Sequence, residues 1–174
     1  MTRTDGTRAE LLVRPAMPDD RLPVARMLEL YQHDLSDVWD QDLDAHGEFG
    51  YALDCYWRDP ACKAFVFQVA SRYAGFALVD GAVKLTGDDL WMSQFFVLKK
   101  YRRRGVGSRA ARQVFDRLRG RWEVGQMSLN VSAQAFWRRA IRADTGGHFV
   151  EHDLNDERWK GLLQCFDNTA SSTA

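Results

Sequence analysis

Leu98-Lys99-Lys100-Tyr101-Arg102-Arg103-Arg104-Gly105-Val106-Gly107-Ser108 is a basic, glycine-containing segment between two stretches of different periodicity. Before it, Trp91-Met92-Ser93-Gln94-Phe95-Phe96-Val97 is an apolar run of strand length. After it, Arg109 to Leu118 carries Ala111, Val114, Phe115 and Leu118 at helical spacing. A strand, a glycine loop and a helix in that order build an anion site. Gly105 and Gly107 let the backbone turn sharply and approach a ligand closely. The first amides of the helix have no partner inside it, and the helix dipole favours negative charge there by about 0.3–1 kcal/mol. With three arginines alongside, the expected ligand carries phosphate, and a pyrophosphate fits best.

Taken alone, Gly-x-Gly is a weak signal and equally describes a tight turn beside solvated arginines. Two rival phosphate sites fall away. No Gly-x-x-x-x-Gly-Lys-Ser/Thr segment occurs in the chain. The dinucleotide fingerprint tolerates Ala110 at its third glycine position. That loop opens its domain, however, whereas this one lies past the middle of the chain, and it does not need a triple arginine.

Arg102-x-x-Gly105-x-Gly107 resembles the acyl-CoA pyrophosphate loop of the GNAT superfamily of N-acetyltransferases. That loop reads Gln/Arg-x-x-Gly-x-Gly/Ala and lies between the family's fourth strand and third helix. Asn130-Val131-Ser132-Ala133-Gln134-Ala135-Phe136-Trp137 is similar to a second family segment: Asn, an Ala three residues on, then an aromatic pair after the fifth strand. Gly75-Phe76-Ala77-Leu78-Val79 resembles the third strand. Together these cover about Leu11 to Phe166.

The resemblance implies an α/β fold of the α+β type. It is a mixed, mainly antiparallel sheet of six to seven strands, flanked by helices and splayed at strands four and five. It implies acetyl-CoA as acyl donor, and direct attack by an amine without a covalent enzyme intermediate. The cofactor would lie along Phe95, Phe96, Val97 and Leu98, with the loop Arg102, Arg103, Arg104, Gly105, Val106, Gly107 and Ser108 on its pyrophosphate. Asn130, Phe136, Trp137 and Arg139 complete that set. The Val97 amide becomes the leading oxyanion donor. Where the family often has a tyrosine as general acid, this chain has Trp137, whose indole N–H is no practical proton source. Gln94 is the inward candidate for ordering the basic water, and it cannot itself take a proton. The remaining base candidates are Asp40, Glu48 and Asp37, with His33 and His46 behind them. A non-catalytic acyl-CoA-binding or regulatory domain of the same fold is the alternative.

Composition agrees with one compact domain. The 174 residues are 45% hydrophobic, with six Trp and ten Phe to fill volume. Residues 9–167 are read as a single acyltransferase domain, with residues 1–8 and 168–174 as loose ends. Three cysteines, Cys55, Cys62 and Cys165, without Cys-x-x-Cys spacing point to a reducing, cytoplasmic setting. No apolar run reaches 18 residues, and the first residues do not resemble a signal peptide.

The zero net charge hides an asymmetry. Met17 to Asp54 holds ten acidic residues against two arginines, and Lys99 to Arg121 holds ten basic residues against Asp116. The acidic half suits a cationic amine, of a small molecule or a peptide, and the basic half an anionic cofactor. Neither nucleic acid nor membrane is expected as a partner, and a homodimer is admitted. Trp39, Phe49, Tyr51 and Trp57 hint at an apolar acceptor wall, and core packing explains them equally well.

His148-Phe149-Val150-Glu151-His152 fits a zinc-peptidase pattern. That pattern needs both histidines on one helical turn, and this segment reads as a strand. There the two histidines would stand about 13 Å apart, so no metal is expected. The remaining elements read as a strand at Leu11 to Arg14 and a helix after Asp19 or Asp20, with Leu22, Ala25, Leu28, Leu30 and Tyr31 inward. Strands follow at Ala64 to Val69, Tyr73 to Val79 and Met127 to Asn130, then a helix from Ala133 to Ile141. Strands at His148 to Leu154 and Leu162 to Phe166 close the chain.

Overall fold

The structure is a computed structural model and describes residues 10–85 and 87–169. Seven strands form one sheet: β1 (Leu11–Pro15), β2 (Lys63–Val69), β3 (Arg72–Asp80), β4 (Leu90–Val97), β5 (Arg121–Met127), β6 (Val150–Asn155) and β7 (Lys160–Asp167). Their order is β1-β2-β3-β4-β5-β7-β6. Helices α1 (Arg21–Leu35), α2 (Cys55–Arg58), α3 (Val106–Arg117) and α4 (Val131–Thr145) flank it. Neighbouring strands are antiparallel except β4 and β5.

That parallel pair is matched only at Leu90 with Trp122 and Trp91 with Glu123. Beyond those positions β4 runs to Val97 and β5 to Met127 without pairing, and the sheet opens into a V. The α3–β5 crossover returns the chain to a parallel strand, as a helical connection must. The mixed, mainly antiparallel sheet splayed at its fourth and fifth strands is thus present, with seven strands.

Strand alternation gives the sheet two apolar faces. On one, Phe67, Ala77, Met92 and Val124 pack against Val114 and Phe115 of α3 and Ile141 of α4. On the other, Val66, Phe76, Leu78 and Phe96 meet Val24, Met27 and Leu28 of α1 and Tyr56 of α2. Gly75 lets β3 lie close to β4, since a Cβ there would meet the Phe96 carbonyl oxygen at 2.1 Å. In β4, Val79 pairs with Met92 while Leu78 pairs with Gln94, which leaves Ser93 as an extra, bulged residue.

Several expected elements are corrected. The inward side of α1 is Val24, Met27, Leu28 and Tyr31, the i, i+3, i+4, i+7 stripe. Leu22 and Leu30 lie off that stripe and are 63% and 53% exposed. Asp20 does not cap α1 with its side chain. Its carboxylate accepts from the Met17 amide at 2.6 Å, from Arg14 at 2.6 and 2.9 Å, and from Tyr73 at 2.5 Å.

The fifth strand is Arg121–Met127, and Met127 to Asn130 forms the turn into α4. Two polar residues inside that strand, Glu123 and Gln126, are buried and broke the apolar signal. Glu123 is satisfied by the Lys84 and Leu85 amides at 2.5 and 2.7 Å. At the other end, Asn168 is buried rather than loose. Its side chain receives the Gly120 amide at 2.9 Å and donates to the Phe115 carbonyl at 3.0 Å. The expected loose ends at 1–8 and 170–174 lie outside the described residues.

Candidate active site

The V between β4 and β5 is the floor of a cleft of about 780 Å³. Ser93, Phe95, Phe96 and Val97 of β4 line one wall, and Val124 and Gly125 of β5 the other. A second hollow of about 470 Å³, beside Pro15, Lys63 and Arg117, holds none of the expected site residues.

The basic loop closes one end of the cleft. Gly105 adopts the left-handed conformation (φ 72°) directly before α3, which glycine reaches without Cβ strain. The Arg109 amide bonds to the Gly105 carbonyl at 3.2 Å. The amides of Val106, Gly107 and Ser108 therefore precede the first intrahelical bond and end the helix as donors. Gly107 faces Phe136, and a Cβ there would stand 3.2 Å from the Phe136 ring. An anion can thus approach this backbone where a side chain would crowd the Phe136 ring.

The β4 backbone supplies a second set of donors. The Leu98 amide bonds to the Ala74 carbonyl at 2.9 Å. In an antiparallel ladder the hydrogen-bonded pairs alternate, so the amides of Val97 and Phe95 face away from β3, into the V. Unpaired strand amides beside a helix N-terminus suit an extended, amide-bearing chain that ends in a pyrophosphate.

Within this frame the sequence matches the acetyltransferase (GNAT) family over residues 24–141. The chain belongs to the GNAT acetyltransferase family. The GNAT fold recurs among solved structures at low sequence identity. An acetyltransferase from Thermus thermophilus shares 19% identity over 89% of this chain and 94% of its own, with a TM-score of 0.61. A spermidine N-acetyltransferase variant from Vibrio cholerae shares 13% over 89% and 91%, with a TM-score of 0.54. A Bacillus subtilis acetyltransferase solved in complex with CoA shares 9% over 91% and 99%, with a TM-score of 0.53. No curated protein matches the chain in sequence. The acyl donor of GNAT enzymes is acetyl-CoA.

The structure distributes the anticipated site residues unevenly. Phe96, Val97, Arg102, Arg103, Gly105, Gly107, Ser108, Asn130, Phe136, Trp137 and Arg139 line the cleft. Leu98, Arg104 and Val106 do not, and Val106 is buried in the core. Asn130 also caps α4, its side chain accepting from the Ala133 amide at 3.2 Å. Trp137 is buried, with ring centroids 4.9 Å from Phe95 and 5.0 Å from Phe136. These three rings make an apolar wall.

Arg102 points partly inward. Its Nε donates to the Val97 carbonyl at 2.6 Å, and its Nη2 meets Asp34 of α1 at 2.5 Å. Lys99 also reaches Asp34, at 3.1 Å. Burial works against the Asp34 charge, but these two cations outweigh it and hold the carboxyl below its usual range.

Of the base candidates, Asp37 lines the cleft, whereas Asp40, Glu48, His33 and His46 do not and are exposed. Gln94 is half-buried, is not among the cleft residues, and pairs with Leu78, whose side chain packs on the α1 face. Tyr31 lines the cleft, but burial pushes its phenol up to about 12. Asp34 and Ser93 are among the cleft residues that the sequence did not single out. Asp34 lay in a run of acids with nothing to single it out. Ser93 lay in an apolar run, and only the bulge reveals that it turns toward Tyr51, whose hydroxyl is 3.0 Å from its Oγ. The loop that carries Tyr51 is held to α1 by Glu29, which accepts the Phe49 and Gly50 amides at 2.8 and 3.2 Å. His148 precedes β6 and His152 lies within it, so the two do not share a helical turn.

Proposed function

We propose that this GNAT protein transfers an acetyl group from acetyl-CoA to an amine of a small molecule or peptide, by direct attack of the amine. The observation that carries the reading is the alignment of two donor sets along one cleft. The outward amides of Phe95 and Val97 lead to the unpaired amides at the start of α3. A thioester linked to a nucleotide pyrophosphate is a ligand that uses both. Bound acetyl-CoA supplies the activated acyl group. The chain's own contribution is to place it and to offer a preorganised Val97 amide to the charge that develops on the carbonyl oxygen.

Trp137 and Phe136 pack around the arm and exclude water rather than donate a proton. Asp37 places negative charge on the cleft wall, which favours a cationic acceptor.

Calorimetric binding of acetyl-CoA, CoA and ADP, followed on the same sample by thiol release with a panel of primary amines, tests this. All three nucleotides bind, CoA more tightly than ADP, and at least one amine releases thiol. Binding without release from any amine favours the non-catalytic acyl-CoA-binding reading, for which the lack of a hydroxyl at Trp137 is the supporting observation. Failure to bind CoA overturns both.

A further inference from the structure

The cleft has two unlike ends. At the open end the basic loop, Phe136 and Val97 meet: a Cβ on Gly107 would stand 3.2 Å from the Phe136 ring and 3.8 Å from Val97 Cγ2. At the closed end the V shuts behind its last matched pair, Trp91 with Glu123. Met92, Val124 and Gly125 line that end, and the first two are buried in the apolar core on the α3–α4 side. Ser93 lies among them. Of the described cleft residues on β4 and β5, it alone has a polar side chain.

The bulge aims that side chain. Met92 and Phe95 both pack on the α3–α4 side although they are three residues apart. The extra residue between them, Ser93, turns the other way, to Tyr51, which packs on the α1 side. Bulges beside active sites re-aim side chains in this manner. Ser93 Oγ lies 3.0 Å from the Tyr51 hydroxyl. A hydroxyl has one proton and two lone pairs. If Ser93 donates to Tyr51, both its lone pairs remain; if it accepts, one remains. In either arrangement Ser93 can accept a further hydrogen bond. Tyr51 is itself held in place, because Glu29 accepts the amides of the two residues before it, Phe49 and Gly50.

We propose that Ser93 determines acceptor specificity: it accepts a hydrogen bond from a second polar group of the amine substrate at the closed end of the V, with Tyr51 as the positioning residue that sets its hydroxyl. This rests on the acetyl-transfer reading above, which puts the attacked carbonyl at the Val97 amide. Ser93 lies four residues before Val97, about 10–13 Å along the strand once the bulge is allowed for. The hydrogen bond at Ser93 and the attack distance at the carbonyl take up part of that span. The substrate class is therefore a linear amine that carries a hydroxyl, an amide N–H or a second amine several carbons from the reacting nitrogen. The carbons between the two ends pass Phe95 and Val124, which are apolar cleft residues.

The test measures kcat/KM for thiol release from acetyl-CoA with amino alcohols from 3-aminopropan-1-ol to 8-aminooctan-1-ol. Each is compared with the n-alkylamine in which a methyl replaces the hydroxyl. At the best length the wild type favours the alcohol by about tenfold or more, since a site built to hydrogen-bond a hydroxyl rejects the analogue that lacks it. Ser93→Ala brings that ratio to about one, whereas Ser93→Thr, which keeps the hydroxyl, retains more of it. Tyr51→Phe gives an intermediate ratio, because Ser93 loses the partner that sets it. A purely structural role lowers both rates in parallel and leaves the ratio where it was. A wild-type ratio near one at every length, or the same ratio in wild type and Ser93→Ala, overturns the proposal, and thiol release from any amine then still upholds the acetyl-transfer reading. If the wild type binds CoA but no amine releases thiol, that reading has failed and the proposal with it.

Discussion

Arg102 divides two accounts of the basic loop, and Arg102→Ala separates them. Viewed as part of a phosphate loop, its charge belongs to the ligand. In the structure it ties three elements together. Its Nε holds the Val97 carbonyl at 2.6 Å, a charge-assisted bond of about 1.5–3 kcal/mol. Its pair with Asp34 is worth about 0.5–1 kcal/mol, because the Arg102 side chain is 38% exposed and water screens it. Its guanidinium stands 5.3 Å from the Phe96 ring centroid, worth about 0.5–1 kcal/mol.

Truncation therefore costs about 3 kcal/mol of stability, since such contributions overlap when they share one side chain. For a chain of 174 residues that is a fall in Tm of about 6–12 °C. It also releases the Val97 peptide, so kcat falls more than CoA affinity. Thermal unfolding and calorimetric titration with CoA at about 50 and 200 mM salt read both quantities. A Tm within about 2 °C of wild type, together with a CoA affinity reduced tenfold or more and a flatter salt dependence, would refute the reasoning. The arginine would then belong to the phosphate.

Four other outcomes follow from the geometry. Gly107→Trp abolishes CoA binding in calorimetry, because Phe136 already lies 3.2 Å from where its Cβ would stand, while the fold persists by circular dichroism. Gly125→Ala places a Cβ 2.4 Å from Trp91 and 2.9 Å from Trp159, and costs about 1–3 kcal/mol in denaturant unfolding. Asn130→Ala removes the α4 cap and costs about 1 kcal/mol.

Asp20→Asn changes acid stability. Arg14 first, with Tyr73 and the Met17 amide, outweighs burial and holds the Asp20 carboxyl well below the usual carboxylate range. A depressed carboxylate stabilises the fold fully above its unfolded pKa of about 3.9, and the contribution is lost as pH falls through the folded value. The variant is therefore less stable than wild type at pH 6, and the gap narrows below pH 4 in urea titrations.

The glycine loop was legible because its signal is local. Gly105 and Gly107 are demanded by backbone geometry, and the strand before and helix after them carry clean periodicities. The sequence places β5 too late in the chain because Glu123 and Gln126 point into the protein, Glu123 onto the amides of Lys84 and Leu85 and Gln126 onto the Gln164 side chain. A buried carboxylate whose partners are backbone amides 38 and 39 residues away leaves no mark on its own neighbourhood. The same holds for the site. Phe136 and Trp137 are marked by the resemblance of the Asn130 segment to the family's, whereas Ser93 depends on a bulge and Asp34 on a cation that arrives from residue 102. Gln94 shows the limit of reading alternation through a run: one extra residue in β4 shifts which side chains face α1.

The brevity of the β4–β5 contact has a consequence for how the molecule holds together. With only two matched residue pairs joining them, strands β1 to β4 and the β5-β7-β6 group are two blades on a short hinge. An extended ligand in the V stands where a strand would stand, and takes up amide donors that the ladder leaves unused. It acts as a surrogate strand, so filling the cleft also finishes the sheet. Amide hydrogen exchange should then slow on both rims of the V together when CoA binds, since each rim gains its missing neighbour from the same molecule.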